Sequence, residues 1–84
     1  MNLSKTTEYA LQIMSLMAQD ETRLYRTNDI YEKLKIPYRY LRKLMTMLGK
    51  SNLIASEQGK FGGYRILRPL ENISLKDILL AMIT

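Results

Sequence analysis

The sequence predicts a mainly α domain with a small β-hairpin, in the order helix, helix, helix, hairpin, helix that makes a winged helix-turn-helix. Three observations carry this reading. Apolar residues recur at helical spacing in several separate segments, Lys35-Ile36-Pro37 breaks the pattern between two of them, and three glycines fall within five positions, from Gly59 to Gly63. With 84 residues, of which 46% are apolar, the chain reads as one domain over positions 1–84 with one modest core.

The first helix is expected over about Lys5 to Gln19. Ser4 is its N-cap, since its hydroxyl can accept from a free amide of the first turn. Ala10, Ile13, Met14 and Met17 recur at i, i+3, i+4 and i+7, the signature of a buried stripe, and Leu11 and Ala18 widen it. The polar run Asp20-Glu21-Thr22-Arg23 reads as a loop. Thr27 or Asn28 then caps a short second helix ending near Leu34, with Ile30 and Leu34 facing inward. Proline disfavours helical dihedrals in the residue before it and suits the first position of a helix. Pro37 is therefore expected to end the second helix and begin the third.

The third helix is predicted from Pro37 to about Lys50. Leu41, Leu44, Met45 and Leu48 form its buried stripe, and at about 100° per residue Arg39, Arg42, Lys43, Thr46 and Lys50 fall on the opposite side. Gly49 is a poor helix former and predicts a weakened or terminated last turn there. Leu53 to Glu57 and Tyr64 to Leu67 read as strands around Gln58-Gly59-Lys60-Phe61-Gly62-Gly63, whose glycines are expected to supply the positive dihedrals of a tight hairpin. A glycine-rich loop between two strands lacks the strand-to-helix context of a nucleotide-binding loop. For the last helix Ser74 is the cap, Asp77 completes a capping box and Ile73 staples against Ile78. Ile78, Leu79, Met82 and Ile83 make that helix apolar over a broad face.

Charge is distributed unevenly along this framework. From Lys33 to Arg68 there are nine basic residues and one acid, Glu57, a net +8; the remaining positions carry a net −3. Such segregation is the electrostatic footprint of a polyanionic partner. The third helix is narrow enough to enter a DNA major groove, and Arg39 and Arg42 are the base-reading candidates, because a guanidinium binds guanine O6 and N7 in a bidentate fashion. Lys43 lies beside them. Tyr38 and Tyr40 flank them, each balanced between core packing and phosphate contact. Lys60 and Phe61 sit at the hairpin tip, where a cation would lie against the minor groove or a phosphate strand. Arg65 is a further phosphate candidate or a surface strand residue, and Lys5 and Thr6 are placed to touch a phosphate from the start of the first helix.

Other function classes lose ground on inventory. The chain has neither cysteine nor histidine, so no catalytic site, metal site or cofactor is assigned and an enzyme is not expected. Its longest apolar run, Ile78 to Ile83, is six residues, against the roughly 20 needed to span a membrane. No membrane partner is expected, and the protein reads as cytoplasmic. The alternative is a winged-helix protein–protein module, which would present an apolar rather than a cationic third helix.

The residues also carry a family resemblance. Ser4-Lys5, Glu8-Tyr9-Ala10-Leu11, Ile36-Pro37, Tyr40-Leu41, Lys43-Leu44, Gly62-Gly63-Tyr64-Arg65 and Ile73-Ser74-Leu75 together resemble the Rrf2 family of bacterial regulators, in register over essentially the whole chain. The resemblance implies a homodimeric winged helix-turn-helix regulator of double-stranded DNA, a repressor by expectation, with its third helix in the major groove and its wing in the minor groove. Many relatives carry an arginine where Gln58 stands, and Lys60 is expected to substitute. Some place an acid at the position of Arg42, so operator preference does not carry over. Relatives typically continue into a cysteine-bearing sensor loop and a long dimerisation helix; this chain is expected to be a truncation or a minimal form.

Overall fold

The computed structural model describes residues 4–83; Met1-Asn2-Leu3 and Thr84 lie outside them. Four helices and one antiparallel hairpin run in the predicted order: α1 Lys5–Met17, α2 Thr27–Leu34, α3 Tyr38–Lys50, β1 Ile54–Glu57, β2 Gly63–Ile66 and α4 Leu75–Ile83. A 3₁₀ turn at Leu70–Asn72, unforeseen in the sequence, leads into α4. The helices pack around one apolar centre, with the hairpin against α3 on one flank.

Each helix starts where its chemistry allows. Ser4 caps α1, its hydroxyl accepting from the Thr7 amide at 3.1 Å. The helix ends at Met17 rather than Gln19, with Ala18 as C-cap. At α2 the cap is Arg26, one residue before the two candidates, and Asp29 closes the turn by accepting from the Arg26 amide at 2.9 Å. Pro37 has a narrower role than expected. The second helix is ended by Lys35, which turns left-handed at φ 55°, and Pro37 is the N-cap of α3 rather than its first residue. Gly49 does not stop α3, which runs on through Lys50 to a cap at Ser51. Ser74 and Asp77 form the predicted reciprocal pair, Ser74 N–H donating to Asp77 at 2.9 Å and Asp77 N–H donating to the Ser74 hydroxyl at 3.1 Å.

The core is built from the predicted stripes. Ala10, Ile13, Met14 and Met17 of α1 and Leu41, Leu44, Met45 and Leu48 of α3 are fully buried, joined by Ile30, Ile36, Leu53 and Ile54. Leu34, expected inside, is only half-buried. On α4 the inward residues are Ile78 and Ala81, while Leu79 and Met82 are half-buried and Ile83 is exposed. The difference follows from helical spacing. With Ile78 inward, the position three residues on is Ala81, and Ile83 swings away.

The hairpin pairs Ile54 with Ile66 and Glu57 with Gly63; β1 begins one residue later than expected and ends at Glu57 as expected, and β2 sits one residue earlier than expected. It is attached to the body by a bridge that sequence patterning did not reveal. Tyr25 and Tyr64 exchange two backbone hydrogen bonds of 2.7 Å each. Gly63 makes this approach possible, since a Cβ there would lie 2.9 Å from the Tyr25 carbonyl oxygen. Gly59 has the positive φ that the turn requires, 112°. Gly62 is needed for space rather than dihedral freedom, because a Cβ would stand 2.3 Å from the Glu57 carbonyl oxygen.

Two predictions follow from this packing. Leu44→Ala removes a fully buried side chain from the α3–core contact and is expected to cost about 2–5 kcal/mol, read as a lowered denaturant midpoint. The Asp77 carboxyl is held below the usual carboxylate range by the Ser74 amide first, then by the Ser74 hydroxyl and the Arg68 guanidinium. A group whose folded pKa is depressed contributes stability above its unfolded value, near 3.9, and loses it as pH falls through the folded value. Denaturant titrations from neutral to acid pH are expected to show this loss, and Asp77→Asn is expected to remove it from the acid limb.

Candidate nucleic-acid interface

Because α3 buries one side, its other side is exposed by construction. Arg39, Arg42, Lys43, Thr46 and Lys50 are all exposed, and Tyr38, Arg39, Arg42, Lys43 and Thr46 line one shallow concavity along the helix. Among the described residues none of these cations has a carboxylate partner; the ion pairs present are Lys5–Glu8, Lys35–Glu32, Arg65–Glu57 and Arg68–Asp77. A second concavity continues from Thr46 past Lys50 and Asn52 to Ala55, Ser56 and Tyr64 of the hairpin. Thr46 belongs to both, so the exposed face of α3 and the flank of the wing form one surface.

The remaining candidates divide by how far the fold already employs them. Tyr38 is 44% exposed, its ring edge-on to Tyr31 at 5.8 Å, and it lines the α3 concavity. Tyr40 is half-buried, packed edge-on against Tyr9 at 5.5 Å, with its hydroxyl hydrogen-bonded to that of Thr6. Tyr40 and Thr6 therefore join α3 to the start of α1 and have a structural role of their own. Lys5 lies over the Tyr9 ring at 5.1 Å and pairs at 3.9 Å with Glu8, an exposed contact of little energetic weight. Arg65 is the candidate most altered by folding. Its Nε donates to Glu57 at 2.5 Å across the hairpin, so the charge is partly neutralised within the wing.

At the wing tip Lys60 is exposed, its ammonium 5.6 Å from the Phe61 ring, and Phe61 is 77% exposed. Phe61 thus does not fold back into the core. One residue was missed by sequence reasoning. Arg26, at the start of α2, reaches the wing tip and donates from Nη2 to the Lys60 carbonyl oxygen at 2.7 Å. Thirty-four positions separate the two residues, and no periodicity or local motif connects them. Among the described residues no cluster of acidic side chains suited to a metal ion occurs, and no helix is long and apolar enough to cross a membrane.

This architecture matches known regulators. IscR of T. potens superposes with a TM-score of 0.90 at 27% identity, covering 100% of this chain and 62% of that one. The oxidised form of Staphylococcus aureus CymR gives a TM-score of 0.81 at 32% identity, covering 96% and 66%. By sequence, the HTH-type transcriptional regulator NsrR of Oceanobacillus iheyensis is 30% identical over 76 residues, 89% of this chain and 52% of that protein. The chain spans about half the length of the curated relatives it matches. Residues 3–83 match the Rrf2 family, described as iron-dependent transcriptional regulators. With a winged helix-turn-helix fold and a sequence match over nearly its whole length, this chain belongs to the Rrf2 family of transcriptional regulators.

Proposed function

We propose that the chain binds double-stranded DNA sequence-specifically, with α3 in the major groove and the wing against the minor groove or the phosphates flanking it. The observation that carries this reading is the solvent-facing row Arg39, Arg42 and Lys43, which has no acidic partner among the described residues and lies on the side of α3 opposite its buried stripe. Exposed cations held on a rigid helix keep their full attraction for a polyanion, since no internal carboxylate must be displaced. An apolar-partner reading finds no support on this helix.

Roles follow from chemistry and placement. Arg39 and Arg42 read base edges, each able to grip guanine O6 and N7 with two parallel N–H groups. Lys43, as a point charge on a flexible stem, holds a phosphate, and Tyr38 offers its hydroxyl to the backbone. Lys60 contacts the neighbouring strand from the wing tip. Arg65, Lys5, Thr6 and Tyr40 lie on the periphery and contribute by positioning more than by direct contact. A single short recognition helix reads few base pairs, so useful affinity comes from two copies on a pseudo-palindrome, half-sites one helical turn or a multiple apart. Repression by occlusion of a promoter is the simplest output of such binding.

Selection from a random duplex library, followed by anisotropy titrations, tests the assignment. Arg39→Ala and Arg42→Ala are each expected to lose about 1–3 kcal/mol on the selected site with much less loss on random duplex; equal losses on both would make them phosphate anchors. Lys60→Ala is expected to weaken binding to all sequences alike. Because Lys43 and Lys60 displace phosphate counterions, log K should fall linearly against log salt, and salt-independent or absent binding would overturn the proposal.

A further inference from the structure

Arg26 has no role in the reading above, and its surroundings indicate one. Its side chain is exposed, yet it is not free to wander, because Nη2 is held by the Lys60 carbonyl oxygen at 2.7 Å. The nearest acid in sequence, Asp29, is committed elsewhere, with its carboxylate accepting the Arg26 backbone N–H at 2.9 Å. Among the described residues no ion pair includes the Arg26 guanidinium. Of the hairpin's own cations, Arg65 is engaged by Glu57, which leaves Lys60 alone at the tip. A guanidinium has five N–H donors in a rigid plane, and a single carbonyl bond leaves most of them unused.

We propose that Arg26 is a DNA-contacting residue of the wing: one N–H clamps the Lys60 carbonyl, and the rest of the guanidinium binds a backbone phosphate beside Lys60. The proposal rests on the DNA-binding reading above and extends its interface from α3 and the hairpin to the start of α2. The bond to Lys60 orders the side chain before DNA arrives, so less rotamer entropy is lost when the phosphate binds. The same bond ties the tip of a two-stranded ribbon to the helical body, close to the Tyr25–Tyr64 bridge. The guanidinium and the backbone of the tip that carries Lys60 therefore move as one unit.

The test uses the 84-residue chain and a labelled random-sequence duplex, titrated by anisotropy between about 50 and 200 mM salt. Arg26→Ala is expected to weaken binding and to reduce the magnitude of the salt slope by about one, the signature of one lost phosphate contact. Arg26→Lys, which keeps the charge, is expected to keep the slope. Arg26→Gln, which keeps an N–H donor without charge, is expected to behave like Arg26→Ala. Thermal melting of each variant establishes that it is folded, and comparison of the Lys and Gln variants suffices should Arg26→Ala melt early. A wild-type slope in Arg26→Gln, whatever its affinity, would make Arg26 a brace for the wing and overturn the contact. Failure of the unmodified chain to bind duplex in a salt-dependent way would instead overturn the DNA-binding reading itself, and this inference with it.

Discussion

The structure depends on the packing of one helix face, the stripe Leu41, Leu44, Met45 and Leu48 pressed into the apolar centre. All four side chains are fully buried. At about 1.5–3 kcal/mol for burying each one, they rival the whole net stability of a small domain, about 5–15 kcal/mol. The helix therefore cannot roll about its axis without unfolding the protein. Since side chains advance by a fixed angle along an α-helix, fixing the inward stripe also fixes what faces outward. Arg39, Arg42, Lys43 and Thr46 are presented in a set order because the leucines behind them have nowhere else to go. A core interaction thus specifies the geometry of a cationic surface with which it shares no atoms.

The wing is held by a different kind of force. A two-stranded ribbon is marginal by itself in water, and here only Ile54 and Ile66 of its strands reach deep burial. Backbone hydrogen bonds supply the remaining constraint. The Tyr25–Tyr64 exchange gives the ribbon a third partner, and both the close approach it needs and the φ of 157° at position 63 call for a glycine there. Beyond that bridge the tip carries Lys60 and Phe61 into solvent, with Arg26 as its outer tether. The α3 face is thus rigid through packing, while the tip is restrained by a few polar contacts.

Electrostatics links the two regions. Folding neutralises part of the basic stretch, pairing Arg65 with Glu57 and Arg68 with Asp77. It leaves the α3 cations without acidic partners among the described residues. The pairs that form are largely solvent-exposed and contribute little to stability; their larger effect is to decide which positive charges remain available. The free charge is consequently narrower than the linear count suggests, concentrated on α3 and at the wing tip.

By itself the sequence determined the helical stripes, the caps at Ser4 and at Ser74 with Asp77, the hairpin, and the side of α3 that faces solvent. These are legible because each depends on residues within about one or two helical turns, where a fixed repeat or a capping hydrogen bond does the specifying. The tertiary fold decided the rest. It turned Lys35 left-handed so that Pro37 became a cap, set Ala81 rather than Ile83 against the core, joined Tyr40 to Thr6, paired Arg65 with Glu57, and brought Arg26 to Lys60. Contacts between elements, and the boundaries that adjust to them, depend on how those elements dock. Docking is a collective outcome of burying every stripe at once, and no short window of residues encodes it.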